Sequence, residues 1–189
     1  MNVTVGFAVC GSFCTFSKML AELENLKKSG FDVVPIMSFN AYKTDTRFGK
    51  ASDIINRMEE ICGNKVIATL ADAEPIGPKK LFDVLVIEPC TGNTLAKLAN
   101  GIADTPVTLA AKSHLRNSRP VVIAVSTNDA LGAAAQNIGR LMNCKNIYFV
   151  PMKQDDCVEK PKSVVADFSL TEQSIIDALQ GKQTQPVYK

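Results

Sequence analysis

The chain has almost no net charge, only one histidine and no long apolar run, and each shortage removes a class of function. Its 21 basic residues nearly cancel its 19 acidic ones, so there is no electrostatic footprint for a nucleic acid or an anionic membrane surface. A small anion held by local geometry is still compatible with that balance. No stretch approaches the ~20 apolar residues that a bilayer span requires. The six cysteines (Cys10, Cys14, Cys62, Cys90, Cys144 and Cys157) form no CxxC pair and have no histidine nearby. That spacing argues against a zinc site and against a secreted disulfide framework, and it leaves reduced thiols in a cytoplasmic protein as the expectation. The start, Met1-Asn2-Val3-Thr4-Val5-Gly6, lacks the basic region and small-residue cleavage site of a secretory signal and reads directly as a strand. Internal repeats and low-complexity tracts are also missing.

What is present is a chain of 189 residues, 46% of them hydrophobic, enough to bury one sizeable core. One domain over residues 1–180 is expected, with a frayed tail over 181–189. The nearly continuous apolar run from Val3 to Val9 ends at Cys10-Gly11-Ser12, the pattern of a strand buried on both faces and stopped by a turn. A helix follows, with Phe16, Met19, Leu20, Leu23 and Leu26 on its apolar face, Lys18, Glu22, Lys27 and Lys28 on the other, and Gly30 as its stop. The alternation then repeats: strands over 31–37, 84–87, 121–125 and 147–150, and helices over 50–62, 94–101, 106–116 and 130–142. Residues 65–80 read as a short strand and an irregular connection, and the polar, proline-marked stretch 153–162 as a loop or flap. A helix over 170–179 closes the chain, capped by Ser169 or Thr171. Strands alternating with helices at this spacing imply parallel pairing through right-handed crossovers. The predicted class is an α/β, Rossmann-like or flavodoxin-like three-layer sandwich around a mainly parallel sheet.

In such sheets ligands lie beyond the carboxyl ends of the strands. Four segments fall there: Gly11-Ser12-Phe13-Cys14-Thr15, Ser38-Phe39-Asn40, Glu88-Pro89-Cys90-Thr91-Gly92-Asn93-Thr94, and Ser126-Thr127-Asn128-Asp129. The first puts glycine and hydroxyl groups where a strand passes into a helix amino terminus, a position that favours a phosphate. It is not a Walker loop, because Ser12 stands where the lysine belongs, and no glycines follow Gly11 at dinucleotide-fingerprint spacing. Taken alone, it is equally a glycine turn with Ser12 or Thr15 capping the helix. Hydroxyl or amide side chains at four strand ends favour one shared pocket over four separate caps. His114, with Lys112, Arg116 and Arg119 around it, reads as a solvated basic helix end, and Lys97 as a surface charge. Arg47 and Lys50, in the loop after the second strand, are cations that could hold the carboxylates of an anionic substrate, though a solvated face is their expected place.

The segment from Pro89-Cys90-Thr91-Gly92-Asn93-Thr94 to Asp104-Thr105-Pro106 resembles the Pro-Ala-Ser-Ala-Asn-Thr motif and its downstream helix in the flavin-containing cysteine decarboxylase family. Gly11-Ser12 with its helix looks like the first phosphate loop of that family. Val125-Ser126-Thr127-Asn128-Asp129-Ala130-Leu131-Gly132 and Val150-Pro151-Met152-Lys153-Gln154-Asp155-Asp156 resemble one branch of it, and the similarity covers almost the whole chain. Members of that branch work as one of two subunits that oxidise a dihydropyridine dicarboxylate to the aromatic dicarboxylate of the spore core.

The resemblance implies a site for FMN or another phosphate-bearing cofactor and homo-oligomeric assembly, with which the alanine- and leucine-rich stretch 96–111 agrees. It also implies a separate nucleotide-binding partner subunit, through which NADP would enter, and a small-molecule dicarboxylate substrate. Gly11, Ser12, Thr15 and Ser38 would face the phosphate, Thr91, Gly92, Asn93 and Thr94 would line the cofactor, and Ser126 and Thr127 would sit across from them. The resemblance assigns neither a catalytic residue nor a metal ligand.

Two departures stand out. The decarboxylases place a histidine between the second strand and the Pro-Ala-Ser-Ala-Asn-Thr motif, where this chain has none, and their Pro-x-Met-Asn segment is replaced by Ser126-Thr127-Asn128-Asp129. Both count against decarboxylation of a peptidyl cysteine. An oxidoreductase subunit, a flavin-binding decarboxylase-like enzyme and a non-catalytic cofactor-binding scaffold remain as alternatives, since Glu88 and Asp129 are the only carboxylates at strand ends.

Overall fold

The computed structural model describes residues 3–189. β1 (Thr4–Val9), β2 (Asp32–Met37), β3 (Val84–Cys90), β4 (Val121–Thr127) and β5 (Ile147–Phe149) are parallel. β6 (Met152–Asp156) and β7 (Lys160–Ala166) form an antiparallel hairpin. The sheet runs β2-β1-β3-β4-β7-β6. One edge of β4 is shared: β5 pairs with its first half in parallel, and β7 pairs antiparallel with Ser126 and Thr127 at its carboxyl end. All seven residues of β3 are buried, as expected of a central strand whose two faces are both covered by helices.

One face is covered by α1 (Phe16–Lys28), α3 (Ala51–Cys62) and α8 (Thr171–Leu179). The other carries α4 (Leu70–Ala73), α5 (Gly92–Ala99), α6 (Pro106–Arg116) and α7 (Ala135–Met142), while α2 (Phe39–Lys43) is a short turn beyond β2. Helix starts follow the hydroxyl residues. Thr105 and Thr108 form a reciprocal capping box ahead of Pro106 at the first position of α6, and Thr91 and Ser38 accept backbone N–H groups at the starts of α5 and α2.

Several expectations are corrected. Glu22, placed on the solvent side of α1, is buried, and lies close enough to α8 to feel the charge of Glu172. Helix α7 begins at Ala135 instead of residue 130, because the Asp129 carbonyl accepts the N–H groups of both Gly132 and Ala134 and holds the intervening chain in turns. In 65–80 the strand is a single bridge of Ile67 to β2, and the remainder is partly helical, with Thr69 capping α4 and Pro75 inside a 3-10 turn. The stretch 153–162 is not a loop but most of the β6–β7 hairpin. Neither Ser169 nor Thr171 caps α8: Ser169 donates to Asp167, Thr171 donates to Glu88, and a 3-10 turn leads into the helix. The tail is tied down, since Gln183 bonds both the N–H and the carbonyl of Phe149, and Met152 exchanges backbone bonds with Val187 and Lys189.

Candidate functional site

At the end of β1 the chain does not enter α1 directly. Cys10 N–H donates to the Pro89 carbonyl (3.2 Å), Ser12 N–H to the Cys10 carbonyl (2.8 Å) and Thr15 N–H to the Ser12 carbonyl (3.0 Å), which folds Phe13–Thr15 into a 3-10 turn. Thr15 is buried and spends its hydroxyl on the Ser12 carbonyl (2.8 Å). It therefore supports the turn from behind and caps nothing. Among the described residues the amides of Phe13 and Cys14 find no backbone acceptor. The anion cradle that the sequence suggests at a helix start is thus this 3-10 turn, with the Ser12 hydroxyl beside it.

The other strand ends converge on that turn. Ser12 Oγ lies 2.8 Å from Ser126 Oγ, joining the carboxyl ends of β1 and β4. Thr91 donates to Thr94 Oγ1 (3.3 Å), and Thr94 donates to the Cys10 thiol (3.2 Å), which ties β3 to β1. Thr127 donates to Asp129 Oδ1 (2.5 Å). Gly92 is closely approached here: a Cβ would fall 2.8 Å from Asp129 Oδ1 and 2.9 Å from Thr127 Oγ1, so a side chain would have to displace the hydrogen-bonded Thr127–Asp129 pair of the loop after β4. Gly6, which has Walker spacing to Gly11, serves the core instead, because a Cβ there would lie 2.5 Å from the Phe82 ring.

The result is a cleft of about 600 Å³ lined by Gly11, Ser12, Thr91, Gly92, Asn93, Ser126 and Thr127. A neighbouring lobe of about 360 Å³ adds Ser38 and Thr94 and shares Gly11, Phe13, Thr91 and Asn93 with the first. Nine of the ten residues expected at the site line one of the two lobes; Thr15 does not. Apart from Arg47, which it offered as a carboxylate-holding cation, sequence reasoning missed the walls supplied by the loop after the second strand and by the hairpin. Arg47 and Phe48 come from the loop after α2, and Asp155, Lys160, Ser163 and Val165 from the hairpin. Lys97, read as a surface charge, borders the second lobe and is paired with Asp104 (2.7 Å). The β-branched pair Val164-Val165 was the available sign that a strand lay beyond Pro161.

Burial pushes Cys10 up to about 11 and Cys90 well above the ordinary thiol value, so neither is a thiolate near neutrality. Cys14 is exposed at the cleft wall. Glu88 is fully buried and turned toward α8, where Thr171 donates to one oxygen while the other has no partner. Desolvation holds it well above the usual carboxyl range, and the nearby Glu22 adds to the shift. His114 is not solvated as expected. It is buried at the opposite end of the sheet beside Phe82, with its Nε2 unpartnered, and desolvation lowers it to about 4. The cleft has hydroxyls and amides but no histidine.

These features define a doubly wound, flavodoxin-like α/β protein with an open cleft at the carboxyl ends of its parallel strands. The chain belongs to the Flavoprotein family, whose model matches residues 1–180. It is 45% identical over 183 residues to the B subunit of dipicolinate synthase from Bacillus subtilis strain 168, covering 97% of this chain and 92% of that one. The crystal structure of the dipicolinate synthase B subunit from Bacillus halodurans superposes with a TM-score of 0.91 at 44% identity, covering 100% of this chain and 98% of that one. The FMN-dependent cysteine decarboxylase SpaF superposes with a TM-score of 0.69 at 25% identity, over 93% of this chain and 97% of that one. The family resemblance drawn from the sequence is borne out.

Proposed function

We propose that this chain is the flavin-holding subunit of a two-subunit dipicolinate synthase, acting with a separate A subunit to oxidise dihydrodipicolinate to dipicolinate during sporulation in the cytoplasm. The observation that carries the reading is likeness to dipicolinate synthase B subunits along nearly the whole chain. The cleft fits FMN. Ser12 and the free amides of Phe13 and Cys14 would take the phosphate; Ser38, Thr91, Asn93 and Thr94 would line the cofactor, and Ser126 and Thr127 would stand opposite. A bound flavin supplies a two-electron acceptor, a role that no side chain of the cleft can fill. The protein's part is to hold that acceptor and the substrate together and to keep water out.

The chain has no dinucleotide fingerprint, so NADP, the final acceptor in this reading, would be bound by the A subunit. Homo-oligomeric assembly belongs to the same reading, and sedimentation at micromolar concentration is expected to show more than a monomer. A non-catalytic flavin-binding scaffold is the alternative that the missing proton-transfer pair favours, whereas the absence of a histidine from the cleft counts against a decarboxylase.

The test combines an absorption spectrum of the purified chain with assays of dipicolinate formation by this chain, by the A subunit, and by both. A flavin spectrum and activity only on mixing are expected. Full activity of this chain alone with a nicotinamide cofactor would overturn the two-subunit reading, and no gain on mixing would leave the scaffold.

A further inference from the structure

The turn between α2 and α3 forms one wall of the cleft. Thr46 and Gly49 bond each other through N–H and carbonyl in both directions (3.0 and 3.1 Å), and Gly49 has φ of 141°, where a side chain is rarely tolerated. Phe48 N–H donates to Thr46 Oγ1 (3.1 Å), and Asp45 Oδ1 accepts the N–H of Ala51 (2.8 Å), fastening the turn to the first residue of α3. The apex of this closed turn is Arg47-Phe48, and both residues border the cleft. A turn bonded this way is preorganised. It leaves Phe48 49% exposed at the cleft wall, where an apolar face is open to a ligand.

The charges of the cleft point the same way. Lys160 is paired with Asp155 at 2.9 Å, and Asp129 is held by Thr127. Arg47 has no carboxylate within ion-pair distance among the described residues; its guanidinium lies over the Phe48 ring, 4.9 Å from the centroid. A guanidinium steadied on an aromatic face keeps its fork of N–H donors free, and that fork matches a carboxylate.

We propose that the Arg47-Phe48 turn is the recognition element for the substrate's ring and one of its carboxylates, an assignment that rests on the dicarboxylate substrate of the proposed function. Arg47 takes the carboxylate through two parallel N–H···O bonds. Phe48 orients the guanidinium and gives the ring an apolar contact.

The experiment uses the full chain loaded with FMN, titrated with dipicolinate and, as a ring without carboxylates, with pyridine. Arg47→Ala is expected to weaken dipicolinate binding by about 10- to 100-fold, to leave pyridine binding unchanged and to keep its FMN. Arg47→Lys is expected to recover only part of the loss, since it restores the charge but not the fork. Lys50→Ala, on the same loop but outside the cleft, is expected to bind as the wild type does. Equal dipicolinate affinity in Arg47→Ala and wild type would overturn the assignment alone. Loss of FMN from Arg47→Ala would also overturn it, by moving Arg47 to the phosphate. A wild-type chain that binds no dipicolinate, with or without the A subunit, would sink this assignment and the proposed function together.

Discussion

At the carboxyl end of β1, β3 and β4, hydroxyl side chains meet across open space, whereas at the amino end of the same strands an aromatic ring and a histidine are sealed in. Ser12 bonds Ser126 at the first end and both border the cleft. At the second, Phe82 lies over Gly6 in β1, His114 packs beside it, and Arg119 donates to the Phe82 carbonyl. The lesson is about where polar groups are left unsatisfied. At the cleft, the free amides of the 3-10 turn can be satisfied by a ligand. At the amino end, the buried Nε2 of His114 is a cost that the surrounding packing must offset.

This contrast is sharpest for a charge placed in the cleft. Ser12→Glu sets a carboxylate against the proposed phosphate position and is expected to abolish FMN retention on gel filtration while the chain stays folded, at a cost on the order of 1 kcal/mol for the lost bond to Ser126. An undiminished flavin spectrum in that variant would count against the phosphate position. The complementary change at the other end is Phe82→Ala, which empties a fully buried ring site and is expected to cost about 3–5 kcal/mol in denaturant unfolding. The folded fraction should still bind FMN with wild-type affinity; weakened affinity would show that the two ends are coupled.

The smallest effect concerns pH. His114 is lowered from 6.5 to about 4, so between those values the unfolded chain binds the proton that the folded chain refuses. Stability attributable to His114 is thus full above about pH 6.5 and declines as pH falls toward about 4. Glu88 acts oppositely: its raised value means that its contribution is full below the ordinary carboxyl range and lost as pH rises. A melting-temperature series from about pH 7 to about pH 5 is expected to show a decline that His114→Leu flattens, on a scale of roughly 2–4 °C per kcal/mol for a domain of this size. The same slope in both proteins would mean that other groups control it.

By itself the sequence determined the elements whose signal is local. Continuous apolar runs marked β1, β3 and β4 as doubly covered strands, and the amphipathic spacing of Phe16 through Leu26 marked α1, because periodicity reflects burial directly. The strand-end hydroxyls were legible too, since a parallel sheet sends every strand's carboxyl end to one side.

What only the tertiary structure decided were pairings between distant segments. The polar stretch 153–162 becomes strand because β7 finds the free carboxyl-end edge of β4. Arg47 and Lys160 become cleft walls, although their own surroundings in sequence look like solvated surface. His114 is buried because α6 delivers it against Phe82 at the amino edge of the sheet. Glu22 and Glu88 sit where α1, β3 and α8 come together, and no local pattern announces a buried carboxyl. Hydrophobic period says which face of an element is covered, but the element that covers it is selected by the packing of the whole chain.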